Sequence, residues 1–231
     1  MAPTQRFREL LANPPILHGS TTHALVLASL EWIDRLPRPI RTLETGCGLS
    51  TLVFVLRGDE HVCITPYVDE SNRVLEYCTE RGLDASRVTF EIERSEIVLP
   101  TLEASPFDLV LLDGSHAFPN VFVDYFYSAS MLSVGGTLIV DDVHLWTGKI
   151  LRDFLCTEPE WEILEEWDGR TAAFRKLAEL ESRDWFDQPY VRDRSTPTRT
   201  RARMALSLIK QRDLTTLGQY ARGVVRPAPR G

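Results

Sequence analysis

The segment Arg41-Thr-Leu-Glu-Thr-Gly-Cys-Gly-Leu-Ser-Thr51 constrains this chain more than any other. A short apolar run closes in an acid, and a Gly-x-Gly turn then opens onto a helical pattern. A backbone that bends this sharply without side chains in the way lets a ligand lie against its amides. That is the mark of a nucleotide-type site in an α/β sheet. Glu44, Gly46 and Gly48 are followed by Ser50 rather than by a third glycine. This spacing leans away from the dinucleotide fingerprint and toward an adenosyl ligand.

Strand and helix patterns alternate from this point. Ser20 to Leu36 carries apolar residues at helical spacing, with Ser20 or Thr21 as N-cap and Pro37 and Pro39 beyond the end. Ile40–Leu43, His61–Thr65 and Val88–Ile92 read as strands, and Ser50–Leu56 and Glu70–Arg81 as helices, the latter closed by Gly82. Phe107–Asp113 and Thr137–Asp141 are near-continuous apolar runs, as expected of strands covered on both faces, and each ends in aspartate. Between them Val121–Leu132 reads as a helix stopped by Gly135-Gly136, and Lys149–Leu155 as a further helix. Trp161–Trp167 and Thr171–Lys176 flank Asp168-Gly169-Arg170 and form a β-hairpin. The fold class is therefore α/β: a doubly wound, Rossmann-like sheet of five parallel strands closed by an antiparallel hairpin, with helices on both faces.

The expected domain covers 1–178, including an N-terminal lid helix with His18–Thr22 beside it. A basic extension follows over 179–231, with 11 Arg or Lys against 6 Asp or Glu. Arg192–Arg203 reads as an exposed linker and Arg203–Tyr220 as one more amphipathic helix. The extension admits three readings: a solvated tail, a contact in a homo-oligomer, or an anchor for an acidic partner. The net charge of −7 disfavours general nucleic-acid binding. No run reaches membrane-spanning length. Cys47, Cys63, Cys78 and Cys156 lie without a C-x-x-C pair, as expected of reduced thiols in a cytoplasmic protein.

Leu43–Thr51, Ser95-Glu-Ile-Val-Leu-Pro100, Leu112-Asp-Gly-Ser-His116 and Gly135-Gly-Thr-Leu-Ile-Val-Asp-Asp142, read together, resemble the class I S-adenosylmethionine-dependent methyltransferases over roughly 19–176. The resemblance is strongest to the branch of metal-assisted small-molecule O-methyltransferases acting on catechols and macrolide sugars. It implies a cofactor site of Glu44, Gly46, Cys47, Gly48, Ser50, Thr51, Glu70, Ser95, Glu96 and Asp113. The family's acid at the end of the second strand is replaced here by Ile64-Thr65-Pro66, so Asp69 or Glu70, with Glu70 preferred, is the expected substitute for gripping the ribose hydroxyls.

Asp113, Asp141 and Asp142 stand at the ends of neighbouring strands, where like charges need a cation or a proton between them. Hard oxygen ligands suit Mg²⁺. His116, on the loop leaving the same strand as Asp113, is the candidate base, since imidazole titrates near neutrality. His144 is a second candidate for contact with the acceptor, and Phe118 and Trp146 are the aromatic candidates for the pocket. The expected function is O-methylation of a small hydroxylated molecule with metal assistance. A nicotinamide-dependent oxidoreductase and a catalytically silent binding protein of the same fold stay open as alternatives.

Overall fold

The computed structural model describes residues 5–12, 14, 25–37, 40–102, 106–195, 205–210, 214–215 and 218. His18, His23, the expected cap at Ser20 or Thr21, the expected lid at 18–22 and half of the helix expected over 203–220 lie outside the described residues. The chain divides into two compact units, Met1–Leu180 and Glu181–Gly231.

The first unit is built on strands β1 (Arg41–Thr45), β2 (Glu60–Ile64), β3 (Val88–Glu91), β4 (Phe107–Leu112), β5 (Leu132–Val140), β6 (Trp161–Trp167) and β7 (Thr171–Lys176). They form one seven-stranded sheet in the order β3-β2-β1-β4-β5-β7-β6. The first five are mutually parallel, and β7 pairs antiparallel with both β5 and β6. Helices α1 (Gln5–Ala12), α2 (Leu27–Asp34), α3 (Leu49–Arg57), α4 (Val68–Glu80), α5 (Ser95–Val98), α6 (Asn120–Met131) and α7 (Trp146–Leu155) complete this unit. In the second unit α8 (Pro189–Ser195) takes up the start of the stretch expected to be a linker.

The side-chain period of two sorts each strand between two cores. Leu109, Leu111, Ile139 and Ala173 face the layer that contains Phe7, Leu30, Ile33 and Phe54. Val110, Leu112, Leu138, Val140 and Phe174 face the opposite layer, with Val121, Ala129, Leu151 and Leu155. Burial on both faces explains why the ends of β4 and β5, Leu109–Leu112 and Leu138–Val140, read as apolar runs.

The boundary between α6 and β5 differs in kind from the sequence reading. Helix α6 ends at Met131, and β5 starts at once and runs through Gly135-Gly136 rather than after them. Gly135 sits at φ +86°, and the pairing of β4 with β5 shifts register between Phe107 and Leu109. The glycines thus serve an irregular strand entry where a helix stop was expected.

Arg57, fully buried at the end of α3, ties the strand layer to α2. It pairs with the buried Asp59 and donates to the carbonyls of Ile33, Leu36 and Pro37. Asp59 in turn accepts from the Ile40 amide at 3.0 Å, just before β1. This one guanidinium adds to the backbone cap on Ile33 O and satisfies the carbonyls of Leu36 and Pro37 in the segment that leaves α2. Among the described residues no helix is long and apolar enough to cross a membrane. Arg57→Met leaves the Asp59 carboxylate buried and uncompensated, and a loss of about 3–5 kcal/mol is expected in urea denaturation. The double variant Arg57→Met/Asp59→Asn should recover part of it.

Candidate active site

The strand order reverses direction between β1 and β4, and there the carboxyl ends of the strands open a crevice, as in other open α/β sheets. Parallel pairing runs one residue past the strands: Gly46 N donates to Ile64 O at 2.9 Å, Asp113 N to Thr45 O at 3.0 Å, and Asp141 N to Leu112 O at 3.0 Å. Gly46, Asp113 and Asp141 therefore stand in one row across the mouth of the sheet. Gly46 has φ +96°, and a Cβ there would lie 2.3 Å from the Asp113 carbonyl oxygen. Only glycine fits.

A cavity of about 610 Å³ opens above this row. Its walls include Gly46, Cys47, Thr65, Glu70, Ser95, Glu96, Asp113, His116, Asp141 and Asp142. Of the expected cofactor residues, Gly46, Cys47, Glu70, Ser95, Glu96 and Asp113 are thus brought together. Glu44, Ser50 and Thr51 are buried beneath the turn and are not among its walls, nor is Gly48.

The burial of Glu44 follows from strand periodicity. Thr42 and Glu44 share a face of β1, opposite His61 and Cys63 of β2 in register, and that face points at α3. The Glu44 carboxylate accepts from Ser50 Oγ at 2.7 Å and from Thr51 Oγ1, and meets His61 Nε2 at 3.1 Å. His61 Nδ1 pairs with Thr42 Oγ1 at 2.7 Å. Thr51 Oγ1 also accepts from the Gly48 amide at 3.0 Å. Glu44 therefore clamps the first turn of α3 to the sheet and holds the glycine turn from below.

Glu70 is held from the end of β2. Thr65 Oγ1 donates to Glu70 Oε2 at 2.8 Å, so Thr65 orients the carboxylate in the first turn of α4. Behind the lining residue Gly114, Asp124 of α6 is buried, and a Cβ on that glycine would lie 3.4 Å from Asp124 Oδ2 and 3.1 Å from Thr45 Oγ1. Asp124 Oδ1 and Thr45 Oγ1 are both buried without a well-formed hydrogen bond. Burial, against opposing hydrogen bonds from Ser95 and Thr45, pushes the Asp124 carboxyl up to about 6.

The acidic end of the cavity is compensated by side chains of the chain itself. His116 Nε2 lies 3.2 Å from Asp142 Oδ2 and 3.9 Å from Asp113 Oδ1. His144 Nδ1 lies 3.6 Å from Asp142 Oδ1. Arg170, in the β6–β7 turn, donates from Nε to Asp142 Oδ1 at 3.1 Å, and its Nη2 lies 4.0 Å from Asp141 Oδ2. Asp141 also accepts from Thr171 Oγ1. Burial, then the charges of Asp141, Glu44 and Asp142, hold the Asp113 carboxyl well above the usual range. Burial likewise raises Asp141.

The expected Mg²⁺ ligands Asp113, Asp141 and Asp142 are thus adjacent, yet their oxygens do not fit a hard cation. A divalent ion needs several oxygens converging at about 2.0–2.6 Å. Both Asp142 oxygens and both Asp141 oxygens instead face Arg170, His116, His144 or Thr171. Among the described residues, one group of three metal-type donors converges, Glu44, His61 and Cys63. It lies sealed beneath the turn, its carboxylate and imidazole are already hydrogen-bonded, and the Cys63 thiol is bonded to the Gly46 carbonyl at 3.3 Å. Burial, with Cys47 and Glu44 nearby, pushes that thiol well up, away from the thiolate a metal would bind. This group is a hydrogen-bond network.

Phe118 and Trp146, expected at the pocket, are exposed and are not among the cavity walls. The residues that the sequence reading missed are Arg170, Arg94, Asn120 and Tyr67, all of which line it. Arg170 carried a signal, since a residue after an Asp-Gly turn returns toward the sheet, but the turn alone does not say which strand end it meets.

Residues 43–143 match a family described as "Methyltransferase domain". A search among curated proteins finds no match. Among solved structures, the O-methyltransferase TomG from Streptomyces achromogenes, involved in tomaymycin synthesis and in complex with SAM, superposes with a TM-score of 0.59 at 17% identity, over 77% of this chain and 92% of that one. The SAH-bound methyltransferase PaMTH1 of Podospora anserina gives 0.58 at 19% identity over 77% and 90%. A methyltransferase from Geobacter sulfurreducens gives 0.59 at 11% identity over 77% and 92%. At these identities the likeness is one of fold.

The raised Asp124 carboxyl makes stability depend on pH. Between about pH 4 and 6 the folded chain keeps a proton that the unfolded chain releases, so stability falls as pH rises through this window. Asp124→Asn is expected to flatten that decline in urea midpoints measured from pH 4 to 7, and to gain up to about 3 kcal/mol at pH 7.

Proposed function

We infer that this chain, which carries a methyltransferase domain on the class I α/β fold, uses S-adenosylmethionine to methylate a hydroxyl group of a small molecule. The observation that carries the reading is the cavity over Gly46, at the strand ends where the sheet reverses, with the glycine packed so closely on the Asp113 carbonyl that no Cβ fits. Its size falls within the ordinary range for small-ligand sites, about 300–1,000 Å³. The solved relatives TomG and PaMTH1, which hold SAM and SAH, support the same cofactor here.

In this reading Gly46 and Cys47 face the amino-acid end of the cofactor. Glu70, oriented by Thr65, receives the ribose hydroxyls, and Ser95 and Glu96 line the adenine. Glu44, Gly48, Ser50 and Thr51 act from beneath by fixing the turn. Bound there, the cofactor supplies a sulfonium methyl whose leaving electron pair stays on sulfur. The protein's task is alignment, exclusion of water and removal of one proton.

His116 is placed for that proton. Its Nε2 lies 3.2 Å from Asp142 Oδ2, and in this reading the Nε2–H faces that carboxylate, which leaves the Nδ1 lone pair to accept. Asp142 then balances the charge that the imidazole gains. The carboxylate–imidazole pair orients the base as the acid does in a hydrolytic triad. The free thiols fit a reducing, cytoplasmic setting.

Calorimetry with S-adenosylhomocysteine tests the reading. Stoichiometric binding is expected, none with NAD, and a loss of at least about tenfold in Gly46→Val, whose side chain would strike Asp113. Absence of binding by the unaltered protein sinks the proposal. With a panel of hydroxylated acceptors and labelled methyl donor, His116→Ala is expected to slow transfer about 10²- to 10⁴-fold while leaving cofactor affinity unchanged.

A further inference from the structure

Arg170 is anchored by backbone before its side chain does anything. It follows Asp168 and Gly169, both at positive φ, and its amide donates to Trp167 O at 2.9 Å. Its carbonyl accepts from Val143 N at 2.8 Å, which ties the hairpin turn to the segment just past β5. The next residue, Thr171, is fully buried and donates to Asp141. The guanidinium is thereby delivered to the cavity wall, with Nε on Asp142 at 3.1 Å and Nη2 4.0 Å from Asp141. His116 takes the other oxygen of Asp142. Arg170, Asp142 and His116 form a continuous line along the acidic end of the cavity.

Resting on the cofactor reading above, we propose that Arg170 is the resident cation of the acceptor site, taking the place of a divalent metal, so that methyl transfer by this chain needs no metal ion. A guanidinium has five N–H donors and stays charged at any working pH. The Nε–H and one Nη2–H face the two acids. The remaining donors belong to a residue that lines the cavity, and they suit an acceptor oxygen as it gains negative charge. As the hydroxyl proton passes to His116, an oxygen lone pair forms the new O–C bond and the S–C pair remains on sulfur. The products are the methyl ether, S-adenosylhomocysteine and a protonated His116 beside Asp142. Arg170 supplies the positive charge facing the oxygen and fixes Asp142, which fixes the base. Arginine rather than lysine suits this double role because its planar fork contacts two carboxylates at once.

The test uses the whole chain, Arg170→Met, Arg170→Lys and Asp142→Asn. Electron paramagnetic resonance with Mn²⁺ needs no acceptor: the unaltered protein is expected to bind no Mn²⁺ in the millimolar range, with or without S-adenosylhomocysteine. In turnover, excess EDTA is expected to leave the rate within about twofold. Arg170→Met should lower kcat about 10²- to 10³-fold with S-adenosylhomocysteine affinity within about threefold, and Arg170→Lys should restore part of the loss. Mn²⁺ bound to the unaltered protein and released by Asp142→Asn overturns the proposal. So does turnover abolished by EDTA and restored by metal, or an Arg170→Met enzyme within threefold of the unaltered kcat. If Arg170→Met loses cofactor binding through misfolding, the Mn²⁺ and EDTA measurements on the unaltered chain decide. Failure to bind S-adenosylhomocysteine at all defeats the cofactor reading, whereas binding with metal-dependent turnover defeats this inference alone.

Discussion

The contact between Gly46 and the Asp113 carbonyl is the constraint on which the site depends. The strands β2, β1, β4 and β5 hold parallel register one residue past their ends, and this brings the first turn of each loop into a single row. At that spacing a Cβ on residue 46 would sit 2.3 Å from a backbone oxygen, so the crevice exists only because glycine stands there at positive φ. The cavity is a consequence of sheet registration, and the residues around it inherit their positions from the ladder.

Two acidic systems sit on either side of that row and are handled differently. Glu44 lies on the α3 face of β1 and is buried, and it is satisfied by hydroxyls and an imidazole that the α3 turn and β2 supply. It stiffens the turn without entering the cavity. Asp113, Asp141 and Asp142 lie at the open end, where burial and mutual repulsion would favour protonation or a cation. The structure answers with Arg170 and His116. Both come from segments beyond the strands that carry the acids, so the charge balance is a tertiary property.

Much of the fold was legible because burial leaves a pattern. Leu109–Leu112 and Leu138–Val140 are apolar at every position since both faces are covered, and the two runs flanking Asp168-Gly169 turn as a hairpin must. The helix stop assigned to Gly135-Gly136 was misread because glycine marks a chain irregularity without naming its kind, and here it is a strand entry. At the site, the glycine turn and the strand-end acids were visible as local motifs. The inward or outward direction of Glu44 was not, since a one-residue change in the frame of a short strand exchanges its faces.

Local sequence therefore determined the element types, the parallel sheet closed by a hairpin, the glycine turn and the identity of the acids, since each depends on periodicity or on the steric limits of one or two residues. Only the tertiary structure decided which carboxylates face the cavity, that Thr65 reaches Glu70, and that a guanidinium from the hairpin meets acids 28 and 29 residues earlier in the chain. The Arg170 pairings join positions distant in sequence. Sheet order and register set them, and no local pattern encodes either.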